Sequence, residues 1–332
     1  MLAPQEWIER RLDTGAPEPA ELLAAPCTAQ RIRWRAAYDE RRPAFRSMVM
    51  ADAKLERLAT GFLWAEGPVY FGEWDALLFS DIPNDVMWCL RRGTLTVFRH
   101  PSNYSNGNTR DRQGRLVTCE HATRRVTRSE RNGRLAVIAA ELDGCRLNSP
   151  NDVVVSRTDT VWFTDPTYGL LSDYEAYAAK PEYGARGLMR CLDGERVEMM
   201  RDDFEQPNGL AFSPDESILY VADSGGTHAT GKAHHVRALS LRDGVPARDE
   251  VLCEIDEGVP DGLRVDPAGN LWCSAADGVQ VFNPAGELLG KILVPEVVAN
   301  LCFGGLKGNL LYITASTSVY RLALPFSMLL EP

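Results

Sequence analysis

No run of 18 apolar residues occurs in the chain, which excludes a membrane-spanning helix. A basic excess is also missing: 36 lysines and arginines stand against 46 acids, for a net charge of −10. Phosphate backbones are bound through a basic face, so nucleic acid is not an expected partner. The opening Met-Leu-Ala-Pro-Gln-Glu-Trp lacks the charged and then apolar pattern of a secretory signal, and a cytoplasmic protein is expected. The eight cysteines never fall as Cys-x-x-Cys, and several sit inside apolar strand-like runs. Buried reduced thiols are expected, rather than a disulfide framework or a zinc site.

What the chain does have is repetition. Gln206-Pro207-Asn208-Gly209-Leu210 opens a short strand, a Pro-Asp turn follows, and a second strand ends at Asp223. The same phrase starts at Glu66, Asn106, Asn151, Asn208, Asp261 and Asn300. In all six copies the second strand ends 14 or 15 positions after that polar residue. The copies lie 39 to 57 residues apart, the two longest intervals carrying insertions at 170–186 and 224–235. Repeats of about 40 residues with four short strands read as propeller blades. The last copy supplies only three strands, and Leu55-Glu56-Arg57-Leu58, ahead of the first, can supply the fourth. Closure of that kind leaves no free sheet edge. The predicted fold is all-β: a six-bladed propeller over 51–332 with a helical arm over 1–50. Short helices are expected at 5–12 and 19–25, and a subunit contact through the arm, giving a homo-oligomer, is the alternative role for it.

The innermost strand of each propeller blade lines the central channel, so the six opening side chains should converge on one mouth. Asn-Gly and Asp-Gly are common turn dipeptides, but turn chemistry alone would vary among Gly, Ser and Pro. Six oxygen-bearing side chains at one repeat position point instead to a shared site. Carboxylates and amides without His or Cys suit a hard divalent cation, Ca²⁺, Mg²⁺ or Mn²⁺, better than Zn²⁺. Glu66 and Asp261 would offset its charge. Asp261 is the candidate general base, because a carboxylate accepts a proton and an asparagine does not. Glu120, His121, Asp165 and Tyr168, at second-strand ends or just beyond, are candidates for holding substrate hydroxyls, with a plain turn role as the alternative.

Other signals lead nowhere. His228, His234 and His235 fall in one long insertion and read as a rim loop. Gly226 to Lys232 mimics a phosphate loop, but Ala233 replaces the required Ser or Thr and a strand follows. Ser224 lacks the context of a nucleophile elbow. Strand alternation sends Cys119 and Glu120 to opposite faces.

The phrases Trp64-Ala65-Glu66-Gly67-Pro68, Arg146-Leu147-Asn148-Ser149-Pro150-Asn151-Asp152, Gln206-Pro207-Asn208-Gly209, Pro260-Asp261-Gly262 and Cys302-Phe303-Gly304-Gly305 resemble the senescence-marker-protein/gluconolactonase family. These are calcium-binding six-bladed propellers that include diisopropylfluorophosphatase. The run from Ser105 to His121 and Phe163-Thr164-Asp165-Pro166-Thr167-Tyr168-Gly169 are similar to its bacterial gluconolactonase branch. The resemblance covers about residues 55–325. It implies metal ligands at Glu66, Asn151, Asn208 and Asp261, with Ca²⁺ ahead of Mg²⁺, Mn²⁺ or Zn²⁺. Asn106 and Asn300, the remaining ring members, join the substrate contacts. Ser149 stands where the animal aldonolactonases carry an arginine, so the preferred sugar is open. The implied activity is hydrolysis of a sugar lactone to the aldonic acid. The alternatives are a related hydrolase for another ester or an organophosphate, and a propeller used for protein binding.

Overall fold

The computed structural model describes residues 31–328 apart from Asp193 and Glu195. The helices expected at 5–12 and 19–25 lie outside the described residues. From Lys54 to Ala323 the chain folds into six antiparallel sheets arranged as propeller blades. Their innermost strands are Ala65–Phe71, Ser105–Arg110, Val153–Val155, Pro207–Phe212, Leu263–Val265 and Val298–Gly304. Each lies against the next around the ring, and the sixth lies against the first. Six apolar clusters fill the six blade interfaces. Phe62, Phe79 and Tyr312, for example, close the contact between the sixth blade and the first. The seven described cysteines are all free, five of them buried.

The ring closes as its sequence requires. Lys54–Thr60 pairs antiparallel with the last strand, Ser318–Ala323, setting Thr60 opposite Ser318 and Glu56 opposite Arg321. The strand Lys54–Thr60, ahead of the first blade, thus completes the sixth, and the two ends of the propeller hold each other.

In its described part the arm forms two short strands and one 3-10 turn, Pro43–Ser47, a correction to the helical expectation for residues 31–50. Ile32–Arg35 adds a fifth strand to the sixth blade, and Ala37–Glu40 a fifth strand to the fifth. The reason is a period of two: Trp34 and Tyr38 turn toward the body while the flanking charges face water. Tyr38 donates to the Met50 carbonyl at 3.0 Å, and Trp34 meets Tyr320 edge-on with ring centroids 5.9 Å apart. Phe45, in a short 3-10 turn, is 1% exposed and lies over Gly290, where any Cβ would strike its ring.

Candidate functional site

Asn-Gly and its equivalents do not make hairpin turns here. In four blades the pairing register slips at the polar residue, at Glu66, Ser105, Pro207 and Val298. Such bulges re-aim a side chain at the end of a strand. Neighbouring backbones then approach closely. The Gly107 amide donates to the Asn151 carbonyl at 2.8 Å, and the Gly209 amide to the Asp261 carbonyl at 3.0 Å. A Cβ on Gly209 or Gly262 would run into Asp261 or Asn300. In four of the six blades glycine follows the ring residue, because the next blade occupies that space. Backbone carbonyls freed by the bulges are taken by side chains: Ser80 and Asn108 donate to the Asn106 carbonyl, and Thr314 to that of Asn300.

Four of the ring residues meet in pairs. Asn300 Nδ2 donates to Glu66 Oε2 at 3.1 Å, and the Gly67 amide donates to the same oxygen at 2.7 Å. Asn208 hydrogen-bonds the Asp261 carboxylate, and its own Oδ1 is buried without a partner. Asn106 Nδ2 lies 3.3 Å from His121 Nε2. Burial pushes the pKa of both Glu66 and Asp261 well up. Like charge adds to this: Asp152 and Glu175 raise both groups, and Glu66 also raises Asp261. Two enclosed carboxylates plus a partnerless amide oxygen form a hard-oxygen donor set that fits a divalent cation. Among the described residues no three His, Cys, Asp or Glu side chains form a ligand cluster, so the amides are essential to that fit.

The other candidates divide into two groups. His121 is fully buried, and burial lowers its pKa to about 4, so the ring is neutral. Its Nδ1–H donates to the Glu175 carbonyl at 3.3 Å, leaving Nε2 to accept from Asn106. That turns the Asn106 carbonyl oxygen away from His121. Tyr168, on the one-turn helix Tyr168–Leu171, donates to the Ser224 carbonyl at 3.3 Å, and its hydroxyl is affected by the charges of Asp261 and Glu175. These two residues border the ring.

Glu120 and Asp165 do not join it. The Glu120 carboxylate is spent on Arg125, Thr123, Thr127 and Asn103 within its own blade. Asp165 accepts the Asn148 amide at 2.7 Å and the Tyr183 hydroxyl, and burial raises its pKa to about 7. Asp81 and Asp223 stand at the same repeat position and accept the amides of Leu63 and Trp64, and of Glu205 and Gln206. All three acids clamp the loop that enters their innermost strand. Ser149 is likewise internal, donating to the Pro166 carbonyl at 2.7 Å and accepting the Gly169 amide. His228 rests beside Tyr168 at 5.6 Å, on the rim.

Two acids missing from the sequence reading belong here. Asp152, directly after Asn151, is 1% exposed, and its Oδ2 has no hydrogen-bond partner; Arg264 Nη1 comes to 4.0 Å. Its signal was the departure from glycine at that repeat position. Glu175 comes from the 170–186 insertion, and burial raises its pKa to about 7.

Comparison with known proteins gives the family. Residues 64–317 match the family described as the SMP-30/gluconolactonase/LRE-like region. A gluconolactonase of Zymomonas mobilis is 32% identical over 306 residues, covering 84% of this chain and 83% of the relative. The structure of a gluconolactonase from Xanthomonas campestris superimposes with a TM-score of 0.83 at 34% identity, covering 91% of this chain and 99% of that one. A calcium-binding regucalcin from Agrobacterium tumefaciens shares the fold, with a TM-score of 0.63 at 18% identity, covering 82% of this chain and 95% of its own. The chain belongs to the SMP-30/gluconolactonase/LRE-like family.

Proposed function

We propose that this enzyme is a lactonase that hydrolyses a sugar lactone to the aldonic acid at the mouth of its channel. The single observation that carries the reading is the set formed by Glu66, Asp261 and the partnerless Oδ1 of Asn208. A propeller used only for protein binding gains nothing from such a set. The gluconolactonases of Z. mobilis and X. campestris support the substrate class.

Glu66, Asn151, Asn208 and Asp261 would hold one divalent cation, with Ca²⁺ the first choice for hard oxygen donors. Bound there, the ion supplies polarisation of the lactone carbonyl. Asp261 takes the proton from the attacking water as the water oxygen bonds to the carbonyl carbon. The ring C–O bond then breaks, and its oxygen leaves with that proton. Asn300 and the Gly67 amide hold Glu66 in place, while neutral His121 fixes the orientation of Asn106.

The test is acid release from glucono-1,5-lactone in weak buffer, with and without a chelator. Chelation is expected to abolish turnover and added Ca²⁺ to restore it. Asp261→Asn is expected to lower kcat by about 10²–10⁴-fold, the usual contribution of a general base. Full turnover in the chelator would remove the cation from the reaction, and full turnover by Asp261→Asn would remove the base.

A further inference from the structure

The insertion at 170–186 lies across the mouth and is tied down on three sides. Tyr174 donates to the Leu63 carbonyl at 3.4 Å, and Tyr177 packs edge-on against Tyr104 with centroids 5.6 Å apart. Glu182 accepts from Arg124 and from the Arg146 amide at 2.9 and 2.8 Å. Asp173 caps the Ala178 amide at 2.9 Å. The other described acids of the segment thus serve its own architecture.

Glu175 does not. Among the described residues no Arg or Lys lies within ion-pair distance of it, and the imidazole it approaches, His121 at 3.6 Å, is neutral. Its backbone carbonyl is held by that same histidine, and the next residue, Ala176, is 1% exposed. The side chain is therefore placed by its backbone and left free at the carboxylate. It lies close enough to Glu66, Asp261 and Tyr168 for its charge to act on all three. A quarter of its side chain is exposed, so a small molecule can reach the carboxylate, and covering it is costly unless the covering group brings a donor. A carboxylate only accepts, and the hydroxyls of a sugar lactone are neutral donors that fit it.

We propose that Glu175 is a specificity-determining residue that accepts hydrogen bonds from ring hydroxyls of the lactone, so that the insertion selects hydroxylated lactones over bare ones. This rests on the lactonase reading above. A site built to hydrogen-bond a substrate hydroxyl discriminates strongly against an analogue lacking it, because its own polar group is then left unpaired.

The experiment compares kcat/KM for glucono-1,5-lactone with that for δ-valerolactone, the same ring without hydroxyls, in wild type, Glu175→Gln, Glu175→Ala and Glu182→Gln. The ratio of the two is expected to fall at least tenfold in both Glu175 variants, mainly through KM for the sugar lactone. Glu182→Gln loosens the same insertion from outside, and its ratio should match wild type. Titration of Ca²⁺ into each variant separates the roles: a Glu175→Gln protein that loses the cation and keeps the ratio overturns the proposal. So does an equal loss on both lactones. A wild type that hydrolyses neither lactone defeats the underlying reading, and this one with it.

Discussion

Asp81, Asp165 and Asp223 occupy one place in three blades and do one job, receiving the amides of the loop that leads into the innermost strand. Removing such an acceptor leaves buried N–H groups unpaired, at about 1–3 kcal/mol for each. Asp223→Ala is therefore expected to lower the unfolding free energy by that order. Asn208 follows Gln206 by two residues, so Ca²⁺ affinity should weaken in the same variant. Urea unfolding and a calcium titration check both, and a variant with wild-type values in each would deny the clamp. The sequence showed an acid at the end of the second strand in four copies, but not what claimed it. Strand alternation gives the face of a side chain, whereas a residue at a strand's end can turn to the mouth or to the incoming loop. Asp165 and Glu120 were open to either reading for that reason. Glu66, Asn208 and Asp261 stood out because an oxygen-bearing side chain recurs at one repeat position, and in four of the six copies a glycine follows it where the next blade comes close.

At the scale of elements, the arm shows how composition can hide period. The expectation of a helical arm over 1–50 rests on the segments at 5–12 and 19–25, yet Ile32, Trp34, Ala36 and Tyr38 alternate with charged or small residues. The two strands split between adjacent blades, Arg33 opposite Glu56 in one and Tyr38 opposite Ile292 in the other. Phe45 then anchors the segment in the core shared by the fifth and sixth blades. Truncating a fully buried phenylalanine costs about 3–5 kcal/mol through lost burial and the cavity left behind. Phe45→Ala should show that loss in chemical unfolding, whereas Arg46→Ala, at an exposed neighbour, should stay within about 0.5 kcal/mol of wild type. Equal effects of the two would mean that the arm is not anchored through this residue.

The whole molecule was the most legible level, because a ring repeats one pattern six times and errors in a single copy do not change the count. The insertions were the least legible: Glu175 has no counterpart in other blades, so no register could assign its direction. Closure also came from the sequence, since a three-stranded final blade needs a strand from elsewhere. The seam it makes carries a concentrated charge group. Glu56, buried at the pairing of Lys54–Thr60 with the last strand, receives Arg31 at 2.8 Å, Arg33 and Arg321. Burial by itself raises its pKa, but the hydrogen bonds and charges of Arg321 and Arg31 outweigh it, and the net shift is downward from the ordinary 4.5. A carboxyl with a depressed folded value binds its proton more readily when unfolded. Its contribution is thus complete above 4.5 and fades as pH falls through the folded value. Glu56→Gln should lower stability at pH 7 by roughly 1–3 kcal/mol, a range that allows for solvent around the half-exposed Arg31 and Arg33. Urea midpoints for wild type and variant should converge as pH is taken down below 4.5. A gap that persists or widens in acid would show that the seam is held by packing alone, and that the ring closes without help from this charge group.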